Sequence, residues 1–144
     1  MTSTPASLWL RLAAAIYDLF PLIGLWMLTA ALALLVARGS VEPAHPALAW
    51  RLGLRIALLA VTGAYFAISW ARGGQTIGMR AWRLRVVDTN GNALPWPRCV
   101  LRFLVACVSL GTLGIGYFWC LIDARGRGWH DLAARSVLVR LSPN

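Results

Sequence analysis

The feature that most constrains this chain is an apolar run from Leu19 to Val36 that contains no charged residue. With its flanking residues the run extends back to Leu8, and a helix needs roughly 20 mostly apolar residues to cross the hydrocarbon of a bilayer. A second apolar run covers about residues 49–70. The sequence therefore predicts two full transmembrane helices, at about 8–36 and 49–70.

The overall composition agrees with a membrane protein rather than a soluble domain. Apolar residues make up 59% of the chain and charged residues 13%, against roughly 45–50% and about 25% in globular proteins. The net charge is +9, and most of the arginines flank the apolar runs. Because positive residues accumulate on the cytoplasmic side, we expect a bacterial inner-membrane protein with both termini in the cytoplasm and no nucleic-acid partner.

The segment between the second and third apolar regions changes character. From Trp82 to Asp88 apolar and polar side chains alternate, and Asn90-Gly91 follows, which is a strong hairpin signal. We predict a small cytoplasmic β-ribbon at about residues 82–97. Residues 136–141 also resemble a strand, and the strand at 82–88 is the natural partner.

The third apolar region, residues 99–122, is compatible with two arrangements. It is long enough for one span, but Gly111, Gly114 and Gly116 interrupt it, which favours a helical hairpin. The segments on both sides are rich in arginine, so both are expected on the cytoplasmic side. We favour the hairpin because a single span would separate them.

Several motifs in a fixed order carry a family resemblance. They are an arginine at the start of the first span and an aspartate within it, Gly74-Gln-Thr-Ile-Gly-Met-Arg80, Leu84-Arg-Val-Val-Asp88, and His130-Asp-Leu-Ala-Ala134 ahead of Val137. In this combination the chain resembles the RDD family of bacterial membrane proteins, as one domain over residues 1–144. The resemblance assigns the arginine of that name to Arg11 and the aspartates to Asp18 and Asp131, with Asp123 as a weaker competitor for the second. It implies a multi-spanning protein, with transport and cation/proton antiport as the suggested activities.

Asp18 is the strongest candidate for a functional residue. It lies about 10 Å into the first helix, where an ionisable group costs on the order of 2.5–3.5 kcal/mol. One interpretation is that Asp18 neutralises an arginine from another helix, such as Arg102 or Arg55. The other is a polar transport site for a proton or small cation, formed by Arg11, Asp18 and Arg102. Arg11 could equally bind a lipid phosphate.

Asp131 precedes a short Leu-Ala-Ala turn, and capping of that turn is the plainest interpretation. The alternative is an ion pair with Arg80, Arg83 or Arg85, which would clamp the C-terminal strand onto the ribbon. No metal site, cofactor site or catalytic constellation is evident, so we do not expect an enzyme.

These observations predict an all-α membrane protein with two spans, a third span or hairpin, and a small β-ribbon. The expected function is transport or cation/proton exchange, in a homo-oligomer because so few helices scarcely enclose a pathway. The alternative is a non-transporting accessory protein whose arginine-rich face binds anionic lipid headgroups or a protein partner.

Overall fold

The computed structural model describes residues 4–37, 47–124 and 126–141. The connection at 38–46 lies outside the described residues. Within these ranges the elements, in chain order, are β1 (Thr4–Pro5), α1 (Leu8–Ala37), α2 (Leu48–Gly73), α3 (Ile77–Ala81), β2 (Leu84–Asp88), α4 (Trp96–Gly111), α5 (Ile115–Phe118), α6 (Trp129–Ala133) and β3 (Ser136–Arg140).

Two of the helices are long and apolar enough to cross a membrane. With 30 residues in α1 and 26 in α2, they measure about 45 and 39 Å, more than the roughly 30 Å of a hydrocarbon core. Large apolar side chains such as Phe20 and Leu35 are more than 70% exposed on α1, as a lipid-facing surface requires. The prediction of two spanning helices is confirmed.

Both helices have one end at a small β-sheet. At the start of α1, the backbone N–H of Ala6 donates to Leu138 O at 3.0 Å. At the end of α2, Gly74 adopts φ +69°, and its carbonyl accepts from Val86 N at 2.7 Å. Because these contacts join opposite ends of the two helices to one sheet, α1 and α2 run antiparallel.

The third apolar region is a bent pair of helices. The helix axis bends by 111° between α4 and the segment from α5 to Leu121. The break between them contains Leu113 at φ 56° and Gly114 at φ 81°. β2 precedes this pair, β3 follows it, and the two strands are hydrogen-bonded. The chain therefore leaves the sheet and returns to it, an arrangement that agrees with the hairpin better than with a single crossing.

The sheet has the strand order β1-β3-β2 and is antiparallel throughout. The register pairs Leu84 with Arg140 and Asp88 with Ser136, so the expected partnership of these two strands is present. The second half of the predicted 82–97 ribbon does not form. Instead Asp88 Oδ1 accepts from the backbone N–H groups of Asn90 and Asn92, both at 2.8 Å, and the chain enters α4 at a proline-rich start. Prolines lack the N–H that a ladder needs and suit the first turn of a helix.

The sheet contains two copies of one local motif. α3 leads through Arg83 into β2, and α6 leads through Arg135 into β3. Both arginines have a left-handed backbone conformation, with φ values of 54° and 50°. The residues that precede the two helices, Thr76 and Gly128, both have φ −81°. A backbone N–H near the start of each short helix donates to a buried carboxylate, that of Asp18 in α1 for α3 and that of its own Asp131 for α6.

Candidate functional site

The first buried carboxylate is Asp18 of α1, which is 2% exposed. It accepts hydrogen bonds from Tyr65 Oη at 2.7 Å, Thr76 Oγ1 at 2.5 Å and Gly78 N at 2.8 Å. All three donors are neutral, and no ion pair to Asp18 occurs among the described residues. The expected pairing with Arg102 or Arg55 is therefore replaced by a set of hydroxyl and amide donors.

These donors come from two different elements. Tyr65 belongs to α2, whereas Thr76 is the N-cap of α3, where its hydroxyl also accepts from Met79 N at 3.2 Å. A Cβ at position 78 would overlap the carbonyl oxygen of Ala14 and come within 2.9 Å of Asp18 Cγ. Only glycine lets α3 approach α1 closely enough for its amide to reach Asp18.

The second buried carboxylate is Asp131, which is 0% exposed. Its Oδ2 lies 2.7 Å from Arg11 Nη1, and its Oδ1 lies 2.6 Å from Arg102 Nη2. Oδ2 also accepts from Gly128 N at 3.2 Å. Asp131 therefore satisfies the backbone N–H of the N-cap residue from the third position of α6, and is not itself the N-cap of a turn at Leu132 as the sequence predicts. The alternative pairing is not found, because Arg80, Arg83 and Arg85 are exposed and the carboxylate binds Arg11 and Arg102.

Arg11 connects three separate segments around Asp131. Besides the carboxylate, its Nε donates to Ala6 O at 3.3 Å and its Nη2 to Gly126 O at 2.6 Å. All of its nitrogens are thus engaged by protein acceptors. Arg11 therefore joins the first helix, the residue that follows β1 and the approach to α6.

Arg102 projects from α4 and lies against α2. Its guanidinium carbon sits 4.3 Å from the ring centroid of Trp70, which is the geometry of a cation–π contact. Its side chain is 3% exposed. An arginine so deeply buried is stabilised by the carboxylate and the ring together.

The electrostatics of this cluster follow from burial and charge. Burial alone raises the pKa of Asp131, but the guanidinium of Arg102, aided by that of Arg11, lowers it well below its usual range. Burial lowers the pKa of the neighbouring His130 to about 4. At neutral pH the cluster therefore contains two positive charges, one negative charge and a neutral imidazole.

The two carboxylate clusters are joined by a cavity of about 110 Å³. Small and aliphatic side chains line part of it. Polar and aromatic side chains from α1, α2, α4 and α6 also line it, among them Arg11, Asp18, Trp70, Arg102 and His130. Three residues predicted from sequence, Arg11, Asp18 and Arg102, thus line one space, whereas Arg80, Arg83 and Arg85 lie elsewhere. In the part of the chain that the structure describes, no group of three His, Cys, Asp or Glu side chains could hold a metal ion.

Sequence reasoning missed the donors to Asp18 and the aromatic neighbour of Arg102. Tyr65 and Trp70 are embedded in an apolar helix and give no local signal. Thr76 and Gly78 lie in the glycine-rich stretch, which predicts only a hinge. The sequence gives one sign of this arrangement, which is Thr76 itself. Threonine is a common N-cap residue, because its hydroxyl can accept from a backbone N–H in the first turn of the helix.

Comparison with known protein families identifies the family of this chain. The family model described as RDD family matches residues 5–135, a range that contains Arg11, Asp18, Arg102 and Asp131. No curated protein and no solved structure matches the chain. Because the family match covers most of the sequence and two helices have the length and apolarity of spans, this is a membrane protein that belongs to the RDD family.

Proposed function

We propose that the protein transports a small ion across the membrane in exchange for protons, and that Asp18 is the ion-binding residue. The observation that carries the proposal is a carboxylate buried in a spanning helix and held by three neutral donors. An ionisable group within a membrane segment is costly to keep and marks ion pathways and proton relays.

The contrast between the two carboxylates supports this choice. Asp131 contacts two guanidinium groups, so its charge is already neutralised and it holds the fold together. Asp18 has hydroxyl and amide donors but no ion pair among the described residues, so a proton or small cation can supply the missing positive charge. Its position beside the cavity gives that ion a place to approach.

The proposed setting is a bacterial inner membrane with both termini in the cytoplasm. The start of α1 and the end of α2 lie at the sheet, which also contains the N-terminal strand β1 and the C-terminal strand β3. This arrangement is expected if the polar ends of the protein lie on one side of the membrane. A homo-oligomer is part of the proposal, because two spans and one bent pair scarcely enclose a pathway.

The test is ion flux in reconstituted liposomes. Purified protein is incorporated into vesicles containing a pH-sensitive dye, and outward gradients of sodium or potassium are imposed in turn. We expect proton movement that depends on the cation gradient and exceeds that of protein-free vesicles. Vesicles that hold correctly folded protein and show no flux with either gradient would contradict the proposal.

A second candidate is a non-transporting accessory role. Exposed arginines cluster around the sheet end of the molecule: Arg72, Arg80, Arg83, Arg85, Arg135 and Arg140. Such a surface suits anionic lipid headgroups or an acidic partner. Absent flux, together with strong stabilisation by anionic but not zwitterionic lipid, would favour this role.

A further inference from the structure

We propose that the cavity between the two carboxylate clusters is a binding site for a compact monovalent anion of the halide or nitrate class. The proposal goes beyond ion exchange at Asp18, since it assigns a second ligand of opposite charge to the adjoining space. It rests on hydrogen-bond donors, on charge and on size.

The first observation is a pair of buried N–H groups without acceptors. Trp70 Nε1 and Arg102 Nε have no hydrogen-bond partner among the described residues, and both residues line the cavity. Trp70 is 5% and Arg102 is 2% exposed. Unpaired buried donors are costly, so a ligand that accepts hydrogen bonds from both would be held firmly.

The second observation is the excess of positive charge on one wall. Arg11 and Arg102 share the single carboxylate of Asp131, and the adjacent His130 is neutral at pH 7. The Asp131 cluster taken alone therefore has a net charge of +1, which Asp18 on the same cavity balances only while Asp18 is ionised. That excess matches a monovalent anion and disfavours a second cation close to the arginines.

The third observation is the volume. A cavity of about 110 Å³ is several times the roughly 10–15 Å³ that a single water molecule needs on the same measure. It accommodates a halide or nitrate ion with one or two waters. Gluconate, a much larger six-carbon anion, is the reference anion in the test.

Asp18 lines the same cavity. Its negative charge repels an anion there, and its neutralisation removes that repulsion. Anion binding is therefore expected to tighten when position 18 has no charge, which links the two ligands without a direct contact between them.

The test is an anion titration of the purified full-length protein in detergent. Sodium chloride or sodium nitrate replaces sodium gluconate at constant ionic strength while the thermal unfolding midpoint is followed. For wild type we expect a saturable rise in the midpoint with chloride or nitrate. A midpoint that does not change with the anion would overturn the proposal.

Two tryptophan variants form a matched pair. Trp70→Phe keeps an aromatic ring against Arg102 but removes the N–H, so the apparent Kd should rise about tenfold or more. Trp82 Nε1 is also buried without a partner in the described chain, yet Trp82 does not line the cavity, so Trp82→Phe should leave the Kd unchanged. Equal affinities in the two variants would refute the assigned site.

A third variant covers the case in which Trp70→Phe does not fold. Asp18→Asn should bind chloride more tightly than wild type because the repelling charge is gone. Unchanged or weaker binding in Asp18→Asn contradicts the assigned site. These are equilibrium measurements, so their failure is distinct from an absence of flux.

Discussion

Arg11 Nη1 and Asp131 Oδ2 lie 2.7 Å apart although 120 residues separate them in the chain. This contact joins the first turns of the first spanning helix to the short helix before the last strand. With Arg102 on the other carboxylate oxygen, it fixes the end of the molecule at which the start of α1 and the end of α2 meet the sheet. The arrangement makes Asp131 a structural centre.

Removal of the shared carboxylate should be strongly destabilising. Asp131→Asn leaves two buried guanidinium groups without a counter-charge, and the loss of one partner from a buried pair costs about 3–5 kcal/mol. The measurement is the free energy of unfolding in detergent. The matched control is Asp123→Asn, whose pair with Arg127 is more exposed and is worth about 1 kcal/mol or less. Similar losses in the two variants would show that Asp131 does not hold the cluster.

The contact between α3 and α1 predicts a severe effect of one added methyl group. Gly78→Ala would push a Cβ into the carbonyl of Ala14 and against Asp18, so we expect a destabilisation of about 1–3 kcal/mol from overpacking. Gly53→Ala is the control, because a Cβ there meets nothing within 4 Å and alanine favours a helix by about 0.5–1 kcal/mol. Thermal unfolding midpoints should move in opposite directions. A shift of the same sign in both would argue against this packing.

The buried imidazole predicts a dependence of stability on pH. The pKa of His130 is about 4 when folded and 6.5 as the ordinary value, so the unfolded chain binds the proton more readily between these values. The free energy of unfolding should therefore decrease as pH falls from about 6.5 to about 4. His130→Gln should flatten this decrease, while His45 is present in both proteins and cancels. Parallel curves for wild type and variant would mean that His130 does not contribute.

The path of the bent pair predicts the accessibility of single cysteines. In a background with Cys99, Cys107 and Cys120 replaced, Asn90→Cys and Leu141→Cys should react with a membrane-impermeant reagent from the same side. Ala47→Cys, at the other end of α2, should react from the opposite side. Modification of residues 90 and 141 from different sides would require the third region to cross the membrane.

Local sequence predicted the spanning helices well because their apolar runs are long and have no charged residue from Leu19 to Val36 or from Ile56 to Trp70. The partnership of β2 with β3 was also predictable from alternation and charge. The hairpin predicted at Asn90-Gly91 does not form, because the residues that its second strand needs lead instead into the helix that starts at the prolines near residue 96. The two-residue strand β1 is too short to give a periodic signal.

The candidate site was predictable in part. Asp18 was recognisable as an ionisable residue inside a span, and Arg11 lies on the same helix. Their partners were not predictable, because a seven-residue spacing gives no information about which carboxylate an arginine reaches across the fold. Arg11 binds Asp131, and Asp18 binds the start of α3. Only the tertiary packing determines these two pairings.

The rate of cation-driven proton movement in liposomes, compared between wild type and Asp18→Asn at equal protein density, tests the central claim most directly. Asp88→Asn serves as the control, because Asp88 caps a turn outside the spans. We expect Asp18→Asn to lose the flux while it unfolds at a temperature close to wild type, and Asp88→Asn to retain it. Flux in Asp18→Asn equal to that of wild type would contradict a role for this carboxylate in ion binding.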